Sequence, residues 1–261
     1  MGFFSADFCA FVGMVHLGPL PGSAGWAGDL QAIEDAALQD ARALLQGGCH
    51  AILVENMGDT PYLNGAVLPE TVAAMTRITR EITRLGLPTG VQILAGANRQ
   101  ALAVAYAAGA QFLRVEGFAY AHVADEGWIE ACAGPLLRAR ANLGAQHIAI
   151  WTDVQKKHSA HAVTSDLSVE ELAHGHAFCG ADTLVITGDR TGGRTRANDV
   201  RAAAAAGLPV VVGSGVDLQD AAGLAKIADA LIVGSALKVD GQWSNPVDPV
   251  RVGAISQAVR R

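Results

Sequence analysis

Lysine is nearly missing from this chain of 261 residues: Lys156, Lys157, Lys226 and Lys238 stand against fifteen arginines. Charged residues of all kinds make up only 17 % of the sequence, and the net charge is -6. A chain so short of positive charge offers no basic face, which excludes nucleic acid as an extended partner. Cysteine is scarce too. Cys9, Cys49, Cys132 and Cys179 lie far apart with no CxxC pair, so a cysteine zinc site is not expected and the thiols read as reduced and mostly buried. No run reaches the roughly 18 to 20 consecutive apolar residues of a membrane span. The stretch GFFSADFCAFVG lacks the basic start and small-residue cleavage pattern of a secretory signal. The expected setting is cytoplasmic, with no membrane span. Long linkers and composition shifts are also absent, and one domain is expected over 1–261.

What the chain does have is apolar bulk and turns: 51 % hydrophobic residues and 30 glycines. Short runs rich in Val, Ile and Leu recur from 10, 51, 89, 111, 147, 183, 209 and 230, each of strand length and apolar on both faces. Alanine-rich amphipathic stretches separate them, among them DLQAIEDAALQDARALLQGG, WIEACAGPLLRARANLG and SVEELAHGHAFCG; several start on Asp, Ser or Pro and stop at Gly. GGCHAILV, AGAQFLRV, CGADTLVI and IADALIVG each run from a helix stop straight into a strand, the mark of a repeated βα unit. Strict alternation implies parallel strands and right-handed crossovers. Eight units predict an α/β chain closed into a (β/α)8 TIM barrel, with a doubly wound open sheet as the alternative.

Chemistry in such a barrel sits at the C-terminal ends of the strands and in the loops after them. Read in order, those ends supply His16, then Glu55, Asn56 and Asp59, then Gln92, Arg114 and Glu116, Thr152 and Asp153, Thr187 and Gly188, Gly213 to Gly215, and Gly234 with Ser235. GSGV and GSALK are glycine-rich turns whose backbone N–H groups can approach an anion, with short helix N-termini adding a favourable dipole. A tight turn alone explains either one; the two together at strands 7 and 8 point to a phosphate.

DVQKKHSAH, 153 to 161, holds half of the lysines. Asp153 ends its strand, and the residues that follow form a loop of about fourteen before a helix starting near Ser168, a length typical of lids and binding loops. Lysine serves as a Schiff-base nucleophile or as a charge partner for phosphate, and His158 or His161 can move protons near neutral pH. Lys157 is expected to face the site and Lys156 to face water. Glu55, Asp153 and Glu116 are candidate oxygen ligands for a divalent metal, against the simpler reading of an ion pair with Arg114. His50, His147, His174 and His176 read as structural, and Trp26, Trp128 and Trp243 as packing residues that could also wall a pocket.

The motifs HLGPLPGS, ENMGDTPY, QILAGANRQALAVAYAAGAQFLRVEGF, HVADEGWIEACAG, DVQKKHSAHAVTSD, TGDRTGG, GSGV and GSALKVDGQW resemble, in order and over roughly residues 10 to 260, the BtpA family with its SgcQ-type members. The resemblance implies a (β/α)8 fold and places Asp153, Lys157, His158 and His161 in a family motif. It also brings two associations, with photosystem one biogenesis and with carbohydrate operons.

The expected activity is on a small phosphorylated metabolite, a sugar phosphate or phosphoribosyl-like compound. Asp153 or Glu55 would act as acid or base, with Lys157, His158 and His161 assisting; His16, Asn56, Asp59, Gln92, Arg114, Glu116, Thr187 and Gly188 would bind substrate and the two glycine loops its phosphate. Lyase, isomerase and glycosidic-bond hydrolase chemistry all fit. A non-catalytic assembly factor is the alternative, and a homo-oligomer is compatible with the alanine-rich helices.

Overall fold

A computed structural model describes residues 4, 8–188 and 195–260. Eight parallel strands close into a barrel in the order β1, β11, β10, β9, β7, β4, β3, β2. They are β1 (Ala10–His16), β2 (Ala51–Glu55), β3 (Thr89–Gln92), β4 (Phe112–Val115), β7 (Ala149–Asp153), β9 (Thr183–Ile186), β10 (Val210–Val212) and β11 (Ala230–Val233). Each coincides with one of the eight apolar runs. The helices between them are α1 (Leu30–Gln46), α2 (Pro69–Thr83), α3 (Asn98–Ala108), α4 (Ala133–Asn142), α5 (Val169–Phe178), α6 (Ala197–Ala204) and α7 (Leu218–Leu224), with α8 (Pro249–Ala258) last.

The two faces of each strand explain the near-continuous apolar runs. Phe11, Val15, Ile52, Val54, Leu113 and Ile150 point outward into the layer shared with the helices. Their neighbours Val12, Met14, Leu53, Phe112, Trp151, Val185 and Ile232 fill the barrel itself, as the period of two requires. Phe112 and Trp151 stack at 4.0 Å. A Cβ on Gly90 would lie 2.1 Å from the Phe112 ring, so only glycine leaves room for that pair.

The same period carries one layer further up. His16, Glu55, Gln92, Arg114, Asp153, Gly213 and Gly234 continue the inward rows, and the apolar filling gives way to charge at the C-terminal mouth. Register pairs His16 with Glu55 and Glu55 with Gln92.

One expectation is corrected. The stretch 128–144 is not helical from its start, because Gly127–Ile129 forms strand β6 and pairs antiparallel with β5 (His122–Ala124) around Asp125 and Glu126. Gly127 at φ +102° closes that turn, and α4 begins only at Ala133. The loop after β7 contributes β8 (Ser159–Ala160) to the other edge of β5. The resulting three-stranded sheet caps one side of the mouth. Ser168 then opens α5 with a capping box: its hydroxyl accepts from Glu171 N, and the Glu171 carboxylate accepts from Ser168 N.

Candidate active site

A cavity of about 510 Å³ opens at the C-terminal mouth, within the size range of small-molecule sites. His16, Glu55, Arg114, Lys157, Gly213, Ser214, Gly215, Gly234 and Ser235 line it, joined by Met57, Asp217 and Trp243. The strand-end residues and Lys157 therefore meet in one place.

Arg114 is the centre of the charge arrangement. Its Nε and Nη2 donate to the Asp153 carboxylate at 3.2 and 3.0 Å, and its Nη1 donates to the Gly213 carbonyl at 3.2 Å. A Cβ on Gly213 would sit 2.3 Å from Val185 and 3.1 Å from the guanidinium, so glycine is what lets β10 approach this pair. Both charges are buried, and such a pair holds only because each satisfies the other.

Burial drives the rest toward neutral forms. It pushes the His16 pKa down to about 3, with Lys238 and Lys157 acting in the same direction. His16 is thus a neutral imidazole near pH 7, and its Nε2 lies 3.5 Å from Glu55. Burial also raises the Glu55 carboxyl, although Arg114 and Lys157 pull the other way. Lys157 is lowered, again chiefly by burial and then by Arg114, while Glu55 and Asp153 oppose the shift. An amine and a carboxyl held closer to their uncharged forms are suited to proton transfer, and the amine to attack on a carbonyl.

Lys156 and Lys157 turn to different clusters, and half of the expectation for them is corrected. Lys156 does not face water: its side chain is only 9 % exposed, lying 2.9 Å from Glu126 and 3.7 Å from Glu116. The carboxylates of Glu126 and Glu116 draw it inward and compensate the burial. Burial would lower its pKa, but Glu116 and Glu126 more than offset that and raise it. Glu116 is pushed up to about 7 by burial, against the pull of Lys156, and accepts a hydrogen bond from Gly96 N at 3.1 Å. His161 joins this second cluster through Lys156 O at 2.9 Å and a tilted ring contact with His122 at 5.3 Å. His158 is exposed, at φ +55°.

Other expected residues lie outside the cavity lining. Asn56 binds the Leu94 amide at 2.7 Å and Asp59 at 2.9 Å, and Asp59 binds the Leu20 amide at 2.7 Å; together they tie the loops after β1, β2 and β3. Gln92 is buried beside Glu55 in the strand register. Thr187 donates to Gln155 O, and Gly188 N to Ser214 Oγ at 3.0 Å. Residues 189–193 of TGDRTGG fall outside the described residues. His176 is structural as read, its Nδ1 3.0 Å from Thr152 Oγ1, and His50 accepts from Phe11 N at 2.9 Å.

Glu55, Asp153 and Glu116 are each engaged by a different partner, Asp153 by Arg114, and among the described residues no three His, Cys, Asp or Glu side chains are grouped to hold a metal ion. One further expectation changes. The N-terminus of α7 is not open to an anion, because Asp217 already accepts from Gln219 N and Asp220 N at 2.8 and 3.0 Å. Asp217 was legible as an N-cap in GVDLQD. Lys238 stands in no motif that marks it, yet it is buried and bound to Asp40 on α1 at 2.5 Å.

Among the described residues no helix is long and apolar enough to cross a membrane. Similar folds include a tryptophan synthase of M. tuberculosis, with TM-score 0.61 and 20 % identity over 98 % of this chain and 94 % of that one. Another is orotidine 5'-monophosphate decarboxylase of Methanocaldococcus jannaschii, with TM-score 0.59 and 16 % identity over 98 % and 100 %. At such identities the likeness concerns the barrel alone. Sequence relatives are nearer. An uncharacterized mitochondrial protein of Caenorhabditis elegans is 41 % identical over 95 % of this chain and 91 % of its own length. The photosystem I biogenesis protein BtpA of Synechocystis is 37 % identical over 95 % and 87 %. With the family model matching residues 9–261, the chain belongs to the BtpA family.

Proposed function

We propose that the chain is an enzyme that acts on a small phosphorylated metabolite at the mouth of the barrel, by lyase, isomerase or glycosidic-bond chemistry. The observation that carries this reading is the pairing, across one cavity, of Lys157 and Glu55 with the loops Gly213–Gly215 and Gly234–Ser235. The glycine loops receive the phosphate through backbone N–H groups. Lys157 supplies positive charge or an attacking amine, and Glu55, backed by the neutral His16, gives or takes the proton. Asp153 keeps Arg114 in place and tunes the field rather than moving a proton itself. One barrel of similar fold, the orotidine 5'-monophosphate decarboxylase, bears the name of an enzyme for a phosphorylated small molecule, which is consistent with the reading and adds only the fold to it.

A second reading, attachment to a protein assembly, draws on the capping sheet. Val123 and Trp128 sit opposite each other on β5 and β6 and are 43 % and 49 % exposed. The relative named for photosystem I biogenesis belongs to this reading.

A thermal-shift screen separates the two. Inorganic phosphate, sugar phosphates and nucleotides, each beside its unphosphorylated counterpart and with or without magnesium, manganese or zinc, are scored for stabilisation, since a ligand that binds only the folded state raises the midpoint. A shift specific to phosphorylated compounds and lost in Lys157→Ala supports the enzyme. A flat response across the panel from a well-folded protein removes the phosphate reading and favours the assembly.

A further inference from the structure

A second cavity, of about 290 Å³, lies between α1 and the segment after β11, and shares His16, Trp243 and Ser244 with the main one. Its α1 wall is built by helical spacing: Ala32, Ile33, Ala36 and Ala37 fall on one face, and three of those four are alanines. Trp243 and Pro246 stand across from them. Small side chains facing an indole and a proline leave a flat-sided slot. Ala32 and Ala36 are exposed although a large apolar residue would cover this groove.

The charges in the slot cancel. Lys238 and Asp40 are bound to each other at 2.5 Å, and the other Asp40 oxygen accepts from Val247 N at 2.7 Å. Both side chains are buried, Lys238 to 1 % exposure. The slot therefore has no unpaired charge with which to recognise an ion, in contrast to the main cavity, which holds Arg114, Lys157, Glu55 and Asp217. Trp243 stands edge-on to His16 at 6.3 Å and 84°, at the passage from one chamber to the other.

We propose that the ligand has two parts, the phosphorylated part in the main cavity and an uncharged planar ring in the slot between α1 and Trp243. The ring stacks on or beside the indole and packs against the alanine wall, and the bond joining the two parts passes His16. This assignment rests on the phosphate reading for its first part and on the slot alone for its second.

The test uses the full chain, labelled with 15N, and three probes: benzimidazole for the ring, ribose 5-phosphate for the phosphorylated part, and adenosine 5'-monophosphate for both together. Benzimidazole is expected to shift the amides of 32–37 and 243–245, and ribose 5-phosphate those of 213–216 and 234–236. Adenosine 5'-monophosphate is expected to bind at least about tenfold more tightly than ribose 5-phosphate. Ala36→Phe, at an exposed helix position outside the main cavity, fills the slot and should abolish both the benzimidazole shifts and that tenfold advantage, with ribose 5-phosphate unaffected; Ala32→Phe repeats the test from a second position. If benzimidazole leaves 32–37 unmoved, or if the nucleotide and the sugar phosphate bind alike, the slot assignment falls. If benzimidazole binds in the slot while neither phosphorylated probe moves the glycine loops, the phosphate reading falls and the ring site stands by itself.

Discussion

Arg114 binds Asp153 through contacts of 3.0, 3.2 and 3.3 Å and spends its last nitrogen on the Gly213 carbonyl, so one guanidinium joins β4, β7 and β10 across the barrel. Removing one member strands a buried charge. Arg114→Met is expected to lower stability by about 3 to 5 kcal/mol in urea titration, and the double variant with Asp153→Leu to recover most of that loss. A single variant as stable as the parent would show that water or another cation replaces the guanidinium.

Of the three lysines around the barrel mouth, Lys157 is the one expected to react first. Its pKa is lowered and it borders the cavity, whereas Lys156 is raised and paired, and Lys238 is buried against Asp40. At pH 8, limiting trinitrobenzenesulfonate should modify Lys157 ahead of Lys156 and Lys238, with the exposed Lys226 as the reference for an open surface amine, as peptide mass mapping reads directly. Borohydride with a carbonyl substrate should add mass at the same residue. Unchanged mass with that substrate demonstrably bound leaves Lys157 the role of charge or proton donor.

Acid should destabilise the fold through its buried histidines. His176 is lowered to about 4 and His122 to about 4, chiefly by burial. Between pH 6.5 and 4 the unfolded chain binds protons that the folded one does not, so this stability is complete above about pH 6.5 and is lost as pH falls toward 4. For the fully buried His176 the loss is on the order of 3 kcal/mol. Unfolding followed from pH 7.5 to 4.5 should be less steep with pH in His176→Asn, which keeps a group facing Thr152; an unchanged slope assigns the acid sensitivity elsewhere.

Glu116 works in the opposite direction. Its pKa is raised to about 7 by burial, so the folded chain holds a proton that the unfolded one has released, and stability falls as pH rises from about 4.5 through 7. Glu116→Gln should remove that decline and stabilise the protein above pH 7. A loss of stability there would mean that the ion pair with Lys156 outweighs the cost of burying the carboxylate.

Lys156 fastens the capping sheet to the barrel through Glu126 in the turn between β5 and β6 and Glu116 after β4. Lys156→Ala should speed deuterium uptake of 122–129 and 159–160 while the barrel strands exchange as before. Uniform uptake across the chain would make the contact part of global stability rather than a local fastening.

Strands buried on both faces write themselves as apolar runs, which is why all eight barrel strands were legible, and the period of two then placed His16, Glu55, Arg114 and Asp153 at the mouth. What stayed hidden depends on contacts between distant loops. Trp128 and Ile129 look like a helix start, but they pair with Val123 and His122 on β5, whose other edge is held by β8 from the loop after β7. Lys156 and Lys157 are adjacent in sequence, and only the position of Glu126, thirty residues earlier, decides which turns inward to which cluster. Lys238 and Asp40 are 198 residues apart, beyond any local pattern.

The capping sheet has a consequence for exchange between barrels. β5 and β6 belong to one loop and β8 to the next, yet they form one three-stranded sheet with β5 in the middle. A graft that carried only one loop into another barrel would arrive with an unpaired strand edge, and would part Lys156 from Glu126. The two loops form one cassette, and recombination preserves it only by moving both.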